Sequence, residues 1–335
     1  MLVTICTIRQ LPQAFALGDS FIKYAASPNG HPQVVIGLAD NPANLPASFV
    51  PPFPLLPLDE VLQPVTELSS MYTPTEFAAA CKPGFITEVF RRYPQANEVI
   101  YADPNLLFFN SLTPINEGLS EANALLTPFI TRSPADACWP DEKFFQNIGL
   151  YSSDFLAFRR SSETDRLLAW WDDRVRIRAR IDFCAGLCLD QIWLMHVPVL
   201  FKKITVVRNQ NWHVGLWNLH ERHLQQEGTT WFVTDATGQS QSLQFANFKG
   251  LFHWKEGFFP HQNRLQLTTR PDIARLTSTY QELVNVHNPT AYLTINPAYG
   301  LQIEPVVLRG WRQTTVQALK RMNRFIDKVP LPVIR

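Results

Sequence analysis

The pattern of apolar and polar positions predicts that strands and helices alternate from the first residue onward. Residues 1–7 and 32–40 are apolar runs typical of buried strands, and residues 11–25 repeat apolar positions at helical spacing. A β-α-β start implies a parallel sheet with ligands beyond the carboxyl ends of its strands. Because the second run ends in Asp40, we expect that carboxylate at the ligand edge of the sheet.

After a proline-rich loop over residues 41–58, the chain continues in the same manner. The further elements that the pattern predicts are helices over residues 73–94 broken at Lys82-Pro83, a strand over 98–109, a strand over 149–160, a serine-capped amphipathic helix over 161–176 and a hairpin-like stretch over 229–248 with Gly238 near a turn. From about residue 262 the pattern becomes helical and peripheral.

These elements predict a three-layer α/β/α fold with a mostly parallel sheet. We expect the main domain over residues 1–261, and a mainly helical C-terminal extension over residues 262–335 packed on it. The chain has 335 residues, of which 46% are hydrophobic and 18% charged, so it can bury the core of a large domain.

Composition narrows the class of protein further. A formal net charge of +1 excludes a strongly basic nucleic-acid binder, and an odd count of 5 cysteines without a regular framework indicates reduced thiols in a cytosol. The N-terminus has no signal-peptide pattern, and no window reaches the roughly 18 apolar residues of a membrane span. We therefore expect a cytoplasmic protein. A basic amphipathic stretch over residues 318–325 leaves weak contact with a membrane surface open.

The predicted strand over residues 98–109 contains Asp103-Pro104-Asn105, which can be read in two ways. Asp-Pro-Asn is good turn chemistry and needs no ligand. The end of a central strand is also where α/β enzymes bind metals and phosphates. The sequence has few glycines, 14 in all, and no glycine-rich phosphate loop, so a phosphate site of that type is absent.

Six segments in order resemble the GT-A class of nucleotide-sugar glycosyltransferases, and especially the retaining enzymes of glycosyltransferase family 8. The segments are residues 3–21 with 34–40, 80–109, 149–171, 187–198, 211–224 and 242–252. No single segment is specific, and the resemblance depends on their order and spacing over about residues 1–255. It implies the Rossmann-like GT-A fold.

The resemblance also implies site residues. Those expected to bind the nucleotide sugar are Thr7, Ile8, Asp40, Lys82, Asp103, Asn105, Trp217, Asn218 and Asn247. Those expected to act in catalysis are Asp190 and Gln191, by resemblance, and Lys249, a cation where relatives have serine. From the residues alone, other interpretations stay open: Asp190 also suits a helix cap, Trp217 a buried core position, and Lys249 a solvated turn.

The chain departs from the family at the metal ligands. The family binds a divalent metal through Asp-x-Asp and a later His, whereas this chain has Asn105 and Asn247 at two of those positions. Losing a carboxylate weakens binding of Mg²⁺ or Mn²⁺, so we predict no metal ligands and require no cofactor; Mn²⁺ or Mg²⁺ at Asp103 and Asn105 stays open. We expect Lys249, with Lys82, to neutralise the leaving diphosphate as a point charge.

The resemblance thus predicts a glycosyltransferase that moves a sugar from a nucleotide donor, UDP-linked, to a saccharide or other hydroxyl acceptor. By resemblance the reaction retains configuration and, with its degenerate metal motif, needs no metal. Asp154, where relatives have glycine, would contact or block the sugar hydroxyls. The competing hypothesis is a non-catalytic GT-A protein that binds a nucleotide or sugar, or supports a partner enzyme.

Overall fold

The structure is a computed structural model. It describes residues 1–25, 33–46, 49–136, 138–235, 237–251, 257–259, 261–301 and 311–326. By its contacts the chain divides into a compact unit, Met1–Leu301, and a second unit, Gln302–Arg335.

The strands of the first unit account for most of its framework. In chain order they are β1 (Leu2–Cys6), β2 (Val34–Leu38), β3 (Leu55–Pro57), β4 (Glu98–Ala102), β5 (Leu106–Phe108), β6 (Ala124–Pro128), β7 (Tyr151–Arg159), β8 (Ile181–Asp182), β9 (Leu187–Cys188), β10 (Ile204–Val206), β11 (Arg222–Glu227), β12 (Thr230–Asp235), β13 (Ser240–Ser242) and β14 (Phe245–Asn247).

Helices connect these strands and cover the sheet. They are α1 (Leu11–Tyr24), α2 (Val65–Ser69), α3 (Pro74–Arg92), α4 (Thr113–Glu121), α5 (Glu142–Ile148), α6 (Ser162–Arg178), α7 (Val197–Leu200) and α8 (Pro271–Asn285). The described part of the second unit contains helix α9 (Trp311–Ile326).

The central sheet has seven strands in the order β10-β6-β7-β4-β1-β2-β3. β7 runs antiparallel to its neighbours β4 and β6, and the other pairings are parallel. One face packs against α3 and α6 through residues such as Phe85 and Trp171, and the other against α1 and α4 through Leu17 and Leu119. The predicted three-layer fold with a mostly parallel sheet is therefore confirmed.

Helix α3 corrects the predicted break at Lys82-Pro83. It runs unbroken from Pro74 to Arg92 with Pro83 inside it. An internal proline removes a hydrogen bond at a cost of about 3 kcal/mol. Burial of helix residues such as Phe85 and Val89 against the sheet and α6 offsets that cost. From the middle of this helix, Lys82 donates through Nζ to Ser153 Oγ of β7 at 3.0 Å.

The predicted strand over residues 98–109 is two strands joined by the Asp-Pro-Asn turn. β4 belongs to the central sheet, whereas β5 pairs antiparallel with β14, so that Leu106 faces Asn247. The N–H of Phe248 extends this pairing by donating to the carbonyl of Asn105 at 2.8 Å. The turn after β4 is therefore fixed against the segment that contains Lys249.

Residues 262–301 belong to the first unit, and Pro271–Asn285 within them form helix α8. The predicted domain boundary at residue 261 stays a prediction. Helix α8 buries Ile273, Leu276, Tyr280 and Val284 in a core cluster. In the described part of the chain, no helix is both long and apolar enough to cross a membrane. The predicted membrane-surface contact of residues 318–325 falls partly on side chains outside the described part and stays a prediction.

Candidate active site

Charged side chains gather at the carboxyl ends of β1, β2 and β4. Asp103 follows β4 and Asp40 follows β2, and the N–H of Ile8, after β1, donates to Asp40 Oδ2 at 3.0 Å. Asp154 joins from the antiparallel strand β7, because the N–H of Asp103 donates to its carbonyl oxygen at 2.8 Å. The sheet thus brings together residues that are distant in sequence, at the edge where ligands of parallel sheets bind.

Lys249 lies between two of these carboxylates. Its Nζ is 2.8 Å from Asp103 Oδ2 and 2.7 Å from Asp154 Oδ1, and its side chain is 22% exposed. Burial alone would lower the pKa of Lys249, but the charges of Asp103 and Asp154 outweigh burial and raise that pKa above its usual range. Burial would likewise raise the pKa of Asp154, and the charges of Lys249 and Lys82 reverse the shift and lower it. The Lys249 ammonium and the Asp154 carboxylate are therefore both ionised at neutral pH.

Two amides complete this cluster, and both present N–H groups to carboxylates. Asn105 Nδ2 donates to Asp103 Oδ1 at 3.1 Å, and Asn247 Nδ2 donates to Asp154 Oδ2 at 2.8 Å. The hydroxyl of Tyr280, from α8, donates to Asn105 Oδ1 at 3.1 Å and so turns that oxygen away from Asp103.

This donor set does not fit a divalent metal. Mg²⁺ and Mn²⁺ need several oxygen ligands directed at the ion, whereas here an ammonium and two amide N–H groups are directed at the carboxylates. Among the residues that the structure describes, no three His, Cys, Asp or Glu side chains form a group that could hold a metal.

A second ion pair lies next to the first. Lys82 Nζ is 2.5 Å from Asp190 Oδ2 and also donates to Ser153 Oγ at 3.0 Å. Asp190 is 1% exposed and Lys82 6%, so both charges are buried. The side chain of Gln191 does not join this ion pair, because its Nε2 donates to the carbonyl of Ile148 at 2.6 Å. Ser153 precedes Asp154, so the two clusters are joined through β7.

The carboxylate of Asp40 binds backbone N–H groups of three separate segments. It accepts hydrogen bonds from the N–H groups of Ile8, Asn41 and Ala298, at 2.8 to 3.0 Å. Thr7 caps the short helical turn that follows β1, with its N–H bonded to Gln10 Oε1 at 3.3 Å. The segment that contains Ala298 therefore lies at the ends of β1 and β2, and contact of Asp40 with a ribose stays a prediction.

Trp217 and Asn218 lie in the core rather than at an open pocket. Trp217 packs edge-on against Phe129, with ring centroids 5.2 Å apart. The amide of Asn218 bonds three backbone groups, namely the carbonyls of Phe129 and His213 and the N–H of Gly215. Contact of either side chain with a sugar would require this loop to open, and that contact stays a prediction.

A histidine links Asn247 to strand β6. His213 Nδ1 lies 2.6 Å from Thr127 Oγ1, and its Nε2 lies 3.4 Å from Asn247 Nδ2. Burial, followed by the positive charges of Arg222 and Lys249, lowers the pKa of His213 to about 3. The imidazole is therefore neutral at physiological pH.

Sequence reasoning missed three contributors to the site. It named Asp154 only as a contact or obstacle for sugar hydroxyls, and it assigned no role to His213 or Tyr280. One signal in the sequence could have found the Asp154 contact. An acidic residue inside the apolar strand β7 requires a buried partner, and Lys249 was a cation to which no partner within the protein had been assigned.

A separate cavity lies away from this cluster. It has a volume of about 530 Å³ between α3 and α6, where Leu62, Cys81 and Leu168 line it. This space lies on a helical face of the sheet, so it is separate from the charged cluster at the strand ends.

Acidification is expected to destabilise the fold through His213. The unfolded chain binds a proton at this residue below about pH 6.5, whereas the folded chain resists it down to about pH 3. The contribution of the neutral imidazole to stability is therefore complete above about pH 6.5 and is lost as the pH falls towards 3, by roughly 5 kcal/mol in all. Urea denaturation at pH 7, 5 and 4 measures this loss. In the variant His213→Gln, the free energy of unfolding should depend less on pH. An equal dependence on pH in that variant would show that His213 is not the group responsible.

Comparison with known proteins gives distant likenesses. No protein-family model matches the chain. It is 23% identical over 208 residues, 62% of its length, to an uncharacterized protein of Bacillus subtilis (strain 168), YfnF, and the match spans 66% of that protein, just under two thirds. The structure is similar to the galactosyltransferase LgtC in complex with donor and acceptor sugar analogs, at 13% identity over 89% of this chain and 97% of that chain, with a TM-score of 0.45.

A second solved structure, mouse xyloside xylosyltransferase 1 in its apo form, matches at 13% identity. The match covers 64% of this chain and 87% of that chain, with a TM-score of 0.35. At such identities and TM-scores these likenesses carry no argument about activity, which has to come from the geometry of the site.

Proposed function

We propose that this protein is a metal-independent glycosyltransferase that uses a nucleotide-sugar donor, UDP-linked, and a saccharide or other hydroxyl acceptor. The observation that carries the proposal is the Lys249 ammonium held between Asp103 and Asp154 at the ligand edge of the sheet. Buried charges are expensive to maintain and seldom needed for stability. Five charges meet at the strand ends, of which Lys82, Asp154 and Asp190 are buried and Lys249 and Asp103 half-buried, and such a cluster favours a functional site.

Sugar transfer builds negative charge where the donor bond breaks. The acceptor oxygen bonds to the anomeric carbon as the bond from that carbon to the phosphate oxygen breaks, and the acceptor proton passes to the diphosphate. A cation or N–H donor at the phosphate oxygen lowers the barrier. Lys249 uses two N–H groups on carboxylates, and its third would donate to the leaving oxygen.

The charge balance sets a condition on donor binding. Two carboxylates against one ammonium leave excess negative charge, which repels a diphosphate. We expect Asp103 to leave Lys249 and accept a hydroxyl of the ribose or sugar when the donor binds. Lys249 would then be shared between Asp154 and the phosphate. Asp190 and Gln191 would act at the sugar face, with retention of configuration as the resemblance implies.

A non-catalytic nucleotide- or sugar-binding role is the second candidate. Asp190 is buried in an ion pair, and the Gln191 amide is bonded to backbone, so both proposed sugar-facing groups are already engaged. In this case the cluster would bind a ligand or brace a surface for a partner enzyme without turnover.

Calorimetry of UDP and GDP, first with excess EDTA and then with Mn²⁺, tests the proposal. We expect UDP to bind with an affinity that changes less than about threefold between the two conditions, because Lys249 supplies the cation. A screen of UDP-sugars for release of UDP would follow. Binding that requires Mn²⁺ would contradict the metal-free site. UDP binding without any turnover would favour the second candidate, and no binding of either nucleotide would overturn the proposal.

A further inference from the structure

His213 is held rigidly at the inner end of the charged cluster. It has a left-handed backbone conformation, φ 48°, which is unusual for a residue with a side chain. Its carbonyl accepts from Asn218 Nδ2 at 3.1 Å and from Arg222 Nη1 at 3.2 Å. Its ring packs against Phe245, with centroids 5.4 Å apart. The surroundings therefore determine where its two ring nitrogens lie.

The orientation of Asn247 follows from what its neighbours can do. A carboxylate only accepts, so the group that contacts Asp154 Oδ2 at 2.8 Å is the amide N–H. A backbone N–H only donates, so the group that accepts from Lys249 N at 2.9 Å is the amide oxygen. The amide has a second N–H, and this one faces His213 Nε2 at 3.4 Å.

The same logic fixes the tautomer of the histidine. Nε2 faces an N–H and must present its lone pair. Nδ1 then carries the proton and donates to Thr127 Oγ1 at 2.6 Å. A chain of hydrogen bonds thus runs from β6 through His213 and Asn247 to the carboxylate that binds Lys249.

We infer that His213 is a positioning residue for Lys249, acting through Asn247 and Asp154; the inference rests on the proposed function of Lys249. The lone pair of Nε2 holds the Asn247 amide, and that amide orients the Asp154 carboxylate and the backbone of Lys249. Without the Nε2 lone pair, one N–H of the Asn247 amide loses its acceptor, and the amide can rotate. A displacement of about 1 Å in a catalytic group can reduce a rate about a hundredfold.

Two variants separate positioning from packing. His213→Leu removes the acceptor but keeps an apolar side chain, whereas His213→Gln retains an amide oxygen that can accept. For sugar transfer we expect His213→Leu to lower kcat about thirtyfold with KM changed less than threefold, and His213→Gln to stay within about fivefold of the wild type. His220→Gln, at a histidine outside this hydrogen-bond chain, is the matched control and should leave both parameters unchanged.

A readout that needs no nucleotide keeps the inference testable by itself. Acylation of Lys249 by acetic anhydride, followed by mass spectrometry, reports how firmly its ammonium is held. We expect His213→Leu to raise the labelling rate about tenfold, and His213→Gln and His220→Gln to leave it near the wild-type rate. Nitrogen NMR of the wild type should find the proton on Nδ1.

The outcomes distinguish the two proposals. Equal labelling in His213→Leu and the wild type, or a proton on Nε2, would overturn the positioning role whatever the activity. Faster labelling in His213→Leu alone, in a protein that neither binds nor turns over nucleotide sugars, would support the positioning role and count against the proposed function. A loss of activity shared equally by His213→Leu and His213→Gln would indicate packing only and overturn the inference.

Discussion

Replacing Lys249 with alanine is expected to reduce sugar transfer by about a hundredfold or more and to create a site that binds Mn²⁺. The lost N–H donor is the one proposed to stabilise the leaving phosphate oxygen, and removal of one such donor reduces rates by about 10²–10³. The variant also leaves the Asp103 and Asp154 carboxylates facing each other without a cation. Because these ion pairs are half-buried, we expect the free energy of unfolding to fall by less than the roughly 3–5 kcal/mol that a fully buried ion pair costs when it loses one partner.

A divalent ion would relieve that repulsion. The two carboxylate oxygens both lie within 2.8 Å of the position that the ammonium vacates, and Mn²⁺ and Mg²⁺ bind oxygen at about 2.0–2.2 Å. At a metal concentration one hundred times the dissociation constant, binding would return about 2.7 kcal/mol of stability. Thermal unfolding with and without MnCl₂ should thus show a gain in the variant and none in the wild type.

Two control variants identify the source of the gain. Lys249→Met fills the space without charge, so it should lose stability and activity but bind no Mn²⁺. Lys249→Ala combined with Asp154→Asn removes one carboxylate and should lose most of the metal affinity. Equal stabilisation of the wild type by Mn²⁺ would mean that Lys249 does not occupy the cation position.

The fold, and the location of the site at the carboxyl ends of the strands, could be predicted because both depend on the local pattern of apolar residues. The apolar runs before Asp40 and Asp103 identify buried strands, and parallel strands bring their carboxyl ends together. The Lys249–Asp154 pair could not be predicted. It depends on β7 running antiparallel and on β14 pairing with β5, and neither long-range pairing is visible in the local sequence.

Packing accounts for the predictions that failed. Proline in α3 would break an isolated helix, but burial against α6 and the sheet keeps it intact. Tyr280 lies in a helix that looks peripheral by composition, yet its ring stacks on Phe248 with centroids 4.2 Å apart and its hydroxyl orients Asn105. A helical pattern identifies the buried face of α8 but not which polar group that face will meet.

Replacing Lys82 with methionine is expected to give the second large effect, a loss of about 3–5 kcal/mol in the free energy of unfolding. Methionine has a similar length, so packing in α3 is kept while the charge is lost. Asp190 is buried, and Lys82 is the cation 2.5 Å from its carboxylate. An unpaired buried carboxylate is much more costly than the pair is stabilising. Urea denaturation measures the loss, and Lys23→Met, at an exposed position of α1, should change stability by less than about 0.5 kcal/mol.

A second substitution then separates structure from chemistry at Asp190. Adding Asp190→Asn to Lys82→Met removes the stranded charge, and we expect it to recover at least about 2 kcal/mol of the loss. Failure to recover would mean that Lys82 stabilises the fold through its contacts with Ser153 instead. Sugar transfer by the recovered double variant decides the remaining question. A double variant that is stable but does not transfer sugar would show that the charged pair takes part in the reaction. Stability with full transfer would make the pair a structural contact only and leave Lys249 as the group on which the reaction depends.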